Sequence, residues 1–155
     1  MNKKIKSLLT LIVEVTLLVT LFYVFAFPYR VDGDSMESSY HTGDRVIISH
    51  ISAWIGNIDR GDTVVCSLED MTVIKRIIAL PGDNLLITDG KVYLNGSLLD
   101  EPYIDADEYT SGDMSITLGD DEYFVMGDNR SVSLDSRQAG CISRGDINGI
   151  VWFKF

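Results

Sequence analysis

Histidine and cysteine are scarce in this 155-residue chain, at two of each, and no Cys-x-x-Cys spacing occurs. That excludes the usual four-ligand zinc arrangement and leaves no metal or cofactor to expect. Positive charge is equally scarce beyond residue 30: residues 31–155 carry 9 Lys+Arg against 22 Asp+Glu, a formal net charge of −13. An acidic surface of this kind suits solubility and is a poor partner for nucleic acid. No internal repeat or low-complexity tract interrupts the chain. Cys66 and Cys141 leave two readings open, a disulfide if their Cα atoms come within about 7 Å or a pair of buried free thiols.

Against these absences stands one long apolar run, the 20 residues Leu8 to Phe27, interrupted only by Glu14. Twenty helical residues at about 1.5 Å each span about 30 Å, the thickness of a bilayer's hydrocarbon. Glu14 would cost roughly 2.5–3.5 kcal/mol at mid-bilayer, which the surrounding Leu, Val, Ile and Phe outweigh. Lys3, Lys4 and Lys6 precede the run while only Arg30 follows closely, so the positive-inside rule keeps the N-terminus cytoplasmic and exports the rest. A cleaved signal peptide has a shorter apolar region and a small-residue cleavage site, whereas Val24-Phe25-Ala26 is followed by bulky Phe27 and Pro28. Tyr23, Phe25, Phe27 and Tyr29 suit an interfacial aromatic belt. The expected organisation is a cytoplasmic N-terminus over 1–7, a transmembrane anchor over 8–27 and an extracytoplasmic domain over 28–155, large enough for one real core.

That domain reads as mainly β, a compact antiparallel sheet following one N-terminal transmembrane helix. Arg45–Ile48, Thr63–Cys66, Val73–Ile78 and Leu85–Ile87 are short β-branched runs bounded by turn residues. Asp89-Gly90 and Asn95-Gly96 flank Val92-Tyr93-Leu94 and predict tight hairpin turns. Strand character resumes at Tyr123–Met126 and Ile150–Phe153, while the acidic stretch Asp100–Asp113 reads as a surface excursion. The Arg-Gly-Asp triplets at 60–62 and 144–146 each open an apolar run and are read as turns.

Candidate chemistry sits in three places. Ser35 follows Gly33-Asp34 in a turn-like segment, and a serine hydroxyl needs a base to act as a nucleophile. Neither His41 nor His50 has triad context, which leaves a lysine, useful as a base only when desolvation or a nearby cation lowers its pKa. Lys75 lies among Val73, Ile74, Ile77 and Ile78. Singly, each residue reads as a turn serine and a solvated strand lysine. The third segment, Gly127–Arg137, changes the balance, because so many hydrogen-bonding groups after an apolar strand are costly unless they satisfy one another or orient a site.

With these segments the chain resembles the bacterial type I signal peptidases, membrane-bound serine proteases that remove signal peptides from exported preproteins. Ser35-Met36 is similar to the family's nucleophile segment, Arg60–Val65 to its next strand motif, Lys75–Asp83 to its general-base motif and 127–137 to its last. The resemblance implies the signal-peptidase/repressor-protease β-fold, Ser35 as nucleophile and Lys75 as general base, with cleavage after a small residue. It further implies an oxyanion hole from the N–H groups of Gly33 and Ser35, and Ser133 orienting the lysine amine. Asp135 and Arg137 would form a supporting ion pair, with Asp128 and Arg130 bracing the same loop. Val31, Met36, Val73 and Ile74 would line substrate pockets for side chains at −1 and −3. Implied partners are signal peptides of exported preproteins and the lipid bilayer, without nucleic acid or metal. Two positions depart from the pattern: Ser38 stands where the family has proline, and Val132 where a polar residue is common. The first keeps a second reading open, a weak or non-cleaving relative that binds exported substrates or assists surface assembly. A self-cleaving repressor-type protease would share the Ser/Lys logic but accompany a DNA-binding domain rather than an anchor.

Overall fold

A computed structural model describes residues 3–155, the side chains of 21–25 excepted. Tyr23 and Phe25 of the expected aromatic belt therefore lie outside the described side chains, and Met1 and Asn2 outside the described residues. The N-terminal helix α1 runs Lys3–Phe25. Its described apolar side chains, Leu8 to Val19 among them, are exposed around the whole circumference. Among the described residues, no helix is long and apolar enough to cross a membrane; Lys3, Lys4, Lys6 and Glu14 all fall on the described part of α1. The expected span of 8–27 also ends differently. The helix stops at Phe25, and Phe27 already belongs to the strand β1 (Phe27–Arg30).

Among the described residues ten strands follow in two sheets, and every strand pairing is antiparallel. Beyond β1 they are β2 (Arg45–Ser49), β3 (Thr63–Leu68), β4 (Met71–Ala79), β5 (Asn84–Thr88), β6 (Lys91–Leu94), β7 (Ser97–Leu98), β8 (Met114–Thr117), β9 (Phe124–Met126) and β10 (Ile147–Lys154). One sheet has the order β1-β2-β10-β3-β4-β9 and the other β7-β6-β5-β8. Pro28 is tolerated because β1 is an edge strand, where a missing N–H leaves no ladder partner unsatisfied. A short helix, α2 (His50–Ile55), continues directly from β2, its first turn capped by the Ser49 hydroxyl, which accepts from Ser52 N at 3.1 Å. A one-turn helix, α3 (Ser136–Ala139), is capped by Asp135.

The hairpin turns at Asp89-Gly90 and Asn95-Gly96 form as expected, with positive φ at all four residues. The Arg-Gly-Asp triplets form a turn and a 3₁₀ helix (Arg144–Asp146). Three clusters build the core: one on β3, β4 and α2 around Ala53, Val64 and Ile77, one between the sheets around Phe124 and Leu85, and one of Val31, Met36, Val46, Ile48, Val65 and Ile74. Each fully buried aliphatic side chain contributes about 1.5–3 kcal/mol relative to exposure. Cys66 and Cys141 are both free thiols, which settles the open choice between them; Cys66 is buried, and burial pushes it up to about 12.

Candidate active site

Ser35 and Lys75, forty positions apart, meet through the β-sheet. Lys75 is the fifth residue of β4 and pairs with Val64 of β3. Its side chain is only 2% exposed, and Nζ donates to Ser35 Oγ at 2.7 Å and to the Ile74 carbonyl at 3.0 Å. Desolvation lowers the lysine pKa, against the opposing pull of Asp135, Cys66 and Asp128. The amine is thus shifted towards the neutral form that a base requires, while already touching the hydroxyl it would deprotonate.

Ser35 itself lies in a turn. Tyr40 N and Ser39 N both donate to the Met36 carbonyl, at 2.8 and 3.1 Å, and Asn129 N donates to the Ser35 carbonyl at 3.1 Å. Gly33 takes φ +92°, and Ser38 takes φ +90°, a region proline cannot enter. The serine at this position permits a turn that the usual proline would forbid. Among the described residues, neither the Gly33 nor the Ser35 backbone N–H donates to a protein acceptor.

The 127–137 segment wraps behind the pair. Gly127 has no room for a side chain: a Cβ there would collide with Ser133 Oγ and the Ser35 carbonyl. Asp135 accepts from Gly127 N at 3.0 Å and pairs with Arg137 at 2.8 and 2.9 Å, so the expected ion pair is formed. Burial alone would raise the Asp135 pKa; the Arg137 hydrogen bond and charge and the Gly127 N–H outweigh it and hold the carboxyl below its usual range. Ser133 differs from expectation. Its hydroxyl is not among the partners of the Lys75 amine, which are Ser35 Oγ and the Ile74 carbonyl; it lies instead beside the Asp135 carboxyl and helps hold it low.

Asp128 and Arg130 do brace this loop, but towards partners that sequence reasoning missed. Asp128 receives Arg76 Nε and Nη2 at 2.8 and 2.6 Å, and the same guanidinium donates to Ser39 Oγ at 3.1 Å and stacks 4.1 Å over the Tyr103 ring. Arg130, fully buried, is held by the Glu101 carboxylate, Thr110 Oγ1 and the Gly127 carbonyl. The 100–113 stretch is the mostly exposed surface excursion expected from the sequence, and through Glu101 and Thr110 it also straps down a buried arginine. A lone arginine in a polar loop signals its need for such a partner but not where the partner lies.

The residues expected to line substrate pockets lie in or beside the core. Val31, Met36 and Ile74 are core residues, 1%, 0% and 3% exposed, and half-buried Val73 packs against a different cluster. An open apolar groove lies across the sheet face, lined by Phe27 and Tyr29 of β1, Thr72, and Ile48 and Val65 of the same cluster as Val31, Met36 and Ile74. Thr72 precedes Lys75 by three residues on β4.

Comparison with known proteins decides the family. The sequence profile described as "Signal peptidase, peptidase S26" matches residues 4–155. The chain belongs to this signal peptidase family. It is 40% identical over 144 residues to Signal peptidase I S of Bacillus subtilis (strain 168), covering 86% of this chain and 78% of that protein. It is 32% identical to Signal peptidase I U of the same organism, over 99% and 91% of the two chains. A crystal structure of a signal peptidase I from Enterococcus faecalis V583 matches with a TM-score of 0.54 at 28% identity, covering 61% of this chain and 96% of that one. The fold is accordingly the mainly antiparallel β signal-peptidase fold with an N-terminal helix. As a signal peptidase the chain is a serine hydrolase whose substrates are preproteins.

Proposed function

We propose that this signal peptidase cleaves the signal peptides of exported preproteins with Ser35 as nucleophile and Lys75 as general base. The observation that carries this assignment is the 2.7 Å contact between Lys75 Nζ and Ser35 Oγ, made by a lysine that is almost fully buried. Neutral Lys75 takes the hydroxyl proton as Oγ attacks the scissile carbonyl, then returns it to the leaving amine; in the second half it activates the deacylating water. The unengaged N–H groups of Gly33 and Ser35 are the oxyanion donors. For Ser133, whose hydroxyl does not contact the Lys75 amine in this structure, we keep only a place in the wall of the site, beside Gly127 and the Ser35 carbonyl. Asp135, Arg137, Asp128 and Arg130 hold the surrounding loop.

Substrate lies extended along the outer edge of β1, main chain to main chain, beside the apolar groove, with small side chains at −1 and −3. Supporting this is the outer edge of β1, which has no strand partner. Signal peptidases I are membrane enzymes, and residues 8–27 anchor this one, with the N-terminus cytoplasmic and the β domain outside. The support is the uniformly exposed apolar surface of α1 and the Lys3, Lys4, Lys6 cluster before it.

The test is cleavage of a secretory preprotein by the detergent-purified full chain beside Ser35→Ala and Lys75→Ala, with matched circular dichroism. Cleavage after a small residue by wild type and its loss in both variants is the expected result. Activity retained by either variant would remove that residue from its role.

A further inference from the structure

Two largely buried guanidinium groups reach the backbone that carries the Ser35–Lys75 pair. Arg76 follows Lys75 on β4 and donates to Asp128 and to the Ser39 hydroxyl of the nucleophile turn. Arg130 donates to the carbonyl of Gly127, the residue whose bare backbone lies against the Ser35 carbonyl. One arginine therefore acts on the base strand and the far side of the turn, the other on the loop behind the nucleophile.

A single four-residue turn joins the two. Ile104 N donates to the Glu101 carbonyl at 3.3 Å, and Pro102 occupies the second position, where its fixed φ suits such a turn. Glu101 and Tyr103 meet across it: the Tyr103 hydroxyl donates to Glu101 Oε1 at 2.9 Å. The same Oε1 accepts from Arg130 Nη2, and Oε2 accepts from Arg130 Nη1 at 3.3 Å. The Tyr103 ring meanwhile lies 4.1 Å from the Arg76 guanidinium carbon. Burial and the Glu101 carboxylate push the Tyr103 phenol up, so it remains a proton donor.

The flanks of this turn rest on the second sheet. Leu99 N donates to the Val92 carbonyl at 2.9 Å and Thr110 N to the Gly90 carbonyl at 3.1 Å, and the Tyr109 ring lies on Gly90, where a Cβ would collide with it. Between these ends the chain arches over an open cavity of about 330 Å³ instead of packing down along its length. Its grip on the site comes through a few side chains: Glu101, Tyr103, Thr110, and Glu108, whose carboxylate accepts from Ser131 N at 3.0 Å.

We propose that Glu101 and Tyr103 are positioning residues for the peptidase reaction: their mutual hydrogen bond makes one clamp of the contacts to Arg76 and Arg130, and the clamp fixes the approach of Ser35 Oγ to Lys75 Nζ. Neither residue touches the reacting atoms. Arg76 and Arg130 each hold one side of the pair, and the bond between their partners keeps the two sides in register across the 2.7 Å contact. A misplacement on the order of 1 Å, caused far from the chemistry, is enough to cost about a hundredfold in rate. Loss of the clamp therefore shows in turnover and not in substrate affinity. The inference rests on the reading of Ser35 and Lys75 as nucleophile and base.

The experiment measures kcat and KM of the detergent-purified full chain on a short peptide carrying a preprotein cleavage site, well below the melting temperature of every variant. Tyr103→Phe keeps the ring over Arg76 and removes only the link to Glu101; kcat should fall by about three- to tenfold with KM unchanged. Glu101→Gln, which takes the counter-charge from a buried arginine, should lower kcat further, and the double variant should be no slower than Glu101→Gln alone, because the two residues act as one unit. Asp107→Asn, on the exposed part of the same stretch, should keep wild-type kcat. Wild-type kcat in Tyr103→Phe, a change in KM alone, losses that multiply in the double variant, or equal slowing by Asp107→Asn would each overturn the clamp. Should Glu101→Gln not fold, Tyr103→Phe and Asp107→Asn decide the matter by themselves. Activity retained by Ser35→Ala or Lys75→Ala, run alongside, would remove the nucleophile and base assignment itself; loss of activity in both with wild-type kcat in Tyr103→Phe would remove the clamp alone.

Discussion

Lys75 and Ser35 reach each other from two kinds of backbone. Lys75 sits in the nine-residue β4, laddered to β3 over six consecutive pairs and with β9 pairing alongside from Arg76 onward. Ser35 belongs to no strand; its turn is fixed by hydrogen bonds onto the Met36 carbonyl and by contacts borrowed from Asn129, Arg76 and the bare backbone of Gly127. The contrast suits the two jobs proposed for them. A lysine becomes neutral only where water is excluded, which the sheet interior provides, whereas a nucleophile must stay open to a peptide and so gives up the ladder. What the turn lacks in regular hydrogen bonding is supplied by distant segments, so the nucleophile side is where substitutions far along the chain are felt.

The sharpest way to break the base side is Lys75→Met, which keeps the volume and removes the amine. Cleavage should fall by about 10²–10⁴-fold or more. Stability should move the other way. The buried amine has a folded pKa below its unfolded value of about 10.4, so the unfolded chain binds the proton more readily and stability rises with pH between those two values. Below the folded pKa the full cost is present; above about 10.4 it is gone. Thermal melts should therefore show Lys75→Met more stable than wild type at neutral pH, with the gap closing towards alkaline pH. Wild-type cleavage should decline on acidification through the same lowered pKa, and a rate indifferent to pH there would sink the assignment of Lys75 as base.

On the nucleophile side the largest effect is expected from Gly127→Ala. The added methyl must displace either the Ser133 hydroxyl or the Ser35 carbonyl, both backed by buried structure. Overpacking of this kind costs about 1–3 kcal/mol, and here the displaced atoms carry the dyad. Cleavage should drop by more than the loss of stability explains, which kcat measured well below the melting temperature would reveal. Wild-type kcat in the variant would mean that Gly127 is needed only for packing.

The same contrast governs what could be read in advance. β4 was legible because a run of β-branched residues around one lysine has few alternatives, and the 89–90 and 95–96 hairpins because Asp-Gly and Asn-Gly favour positive φ. The Glu69-Asp70 hairpin between β3 and β4 was missed because it contains no glycine, even though Glu69 takes φ +51°. β1 was hidden because Phe27-Pro28-Tyr29 continues the apolar run before it, and α2 because six residues are too few to show a helical period. In the site, the Asp135–Arg137 pair is local and was implied by the family resemblance. The partners of Asp128 and Arg130 are Arg76, Glu101 and Thr110, tens of residues away, and only the folded chain brings such groups together.

The smallest effect expected is also the most discriminating about the turn. Ser38 holds φ +90°, where a side chain costs roughly 1–2 kcal/mol and glycine costs little. Ser38→Gly should therefore keep cleavage near wild type and leave stability equal or slightly higher, the relief of strain being partly offset by the greater freedom of glycine in the unfolded chain. Ser38→Pro, which restores the residue usual in the family, should do the opposite. Proline fixes φ near −65° and cannot follow the chain through this turn, so the Ser39 and Tyr40 amides would lose the Met36 carbonyl and Arg76 its hold on Ser39. The expected signature is a fall in kcat with little change in melting temperature, because the turn lies on the surface while the sheet beneath it is untouched. If Ser38→Pro instead matched or exceeded wild type, the turn would have a second conformation of equal use for catalysis, and the contrast between a rigid base and a borrowed nucleophile would have to be redrawn.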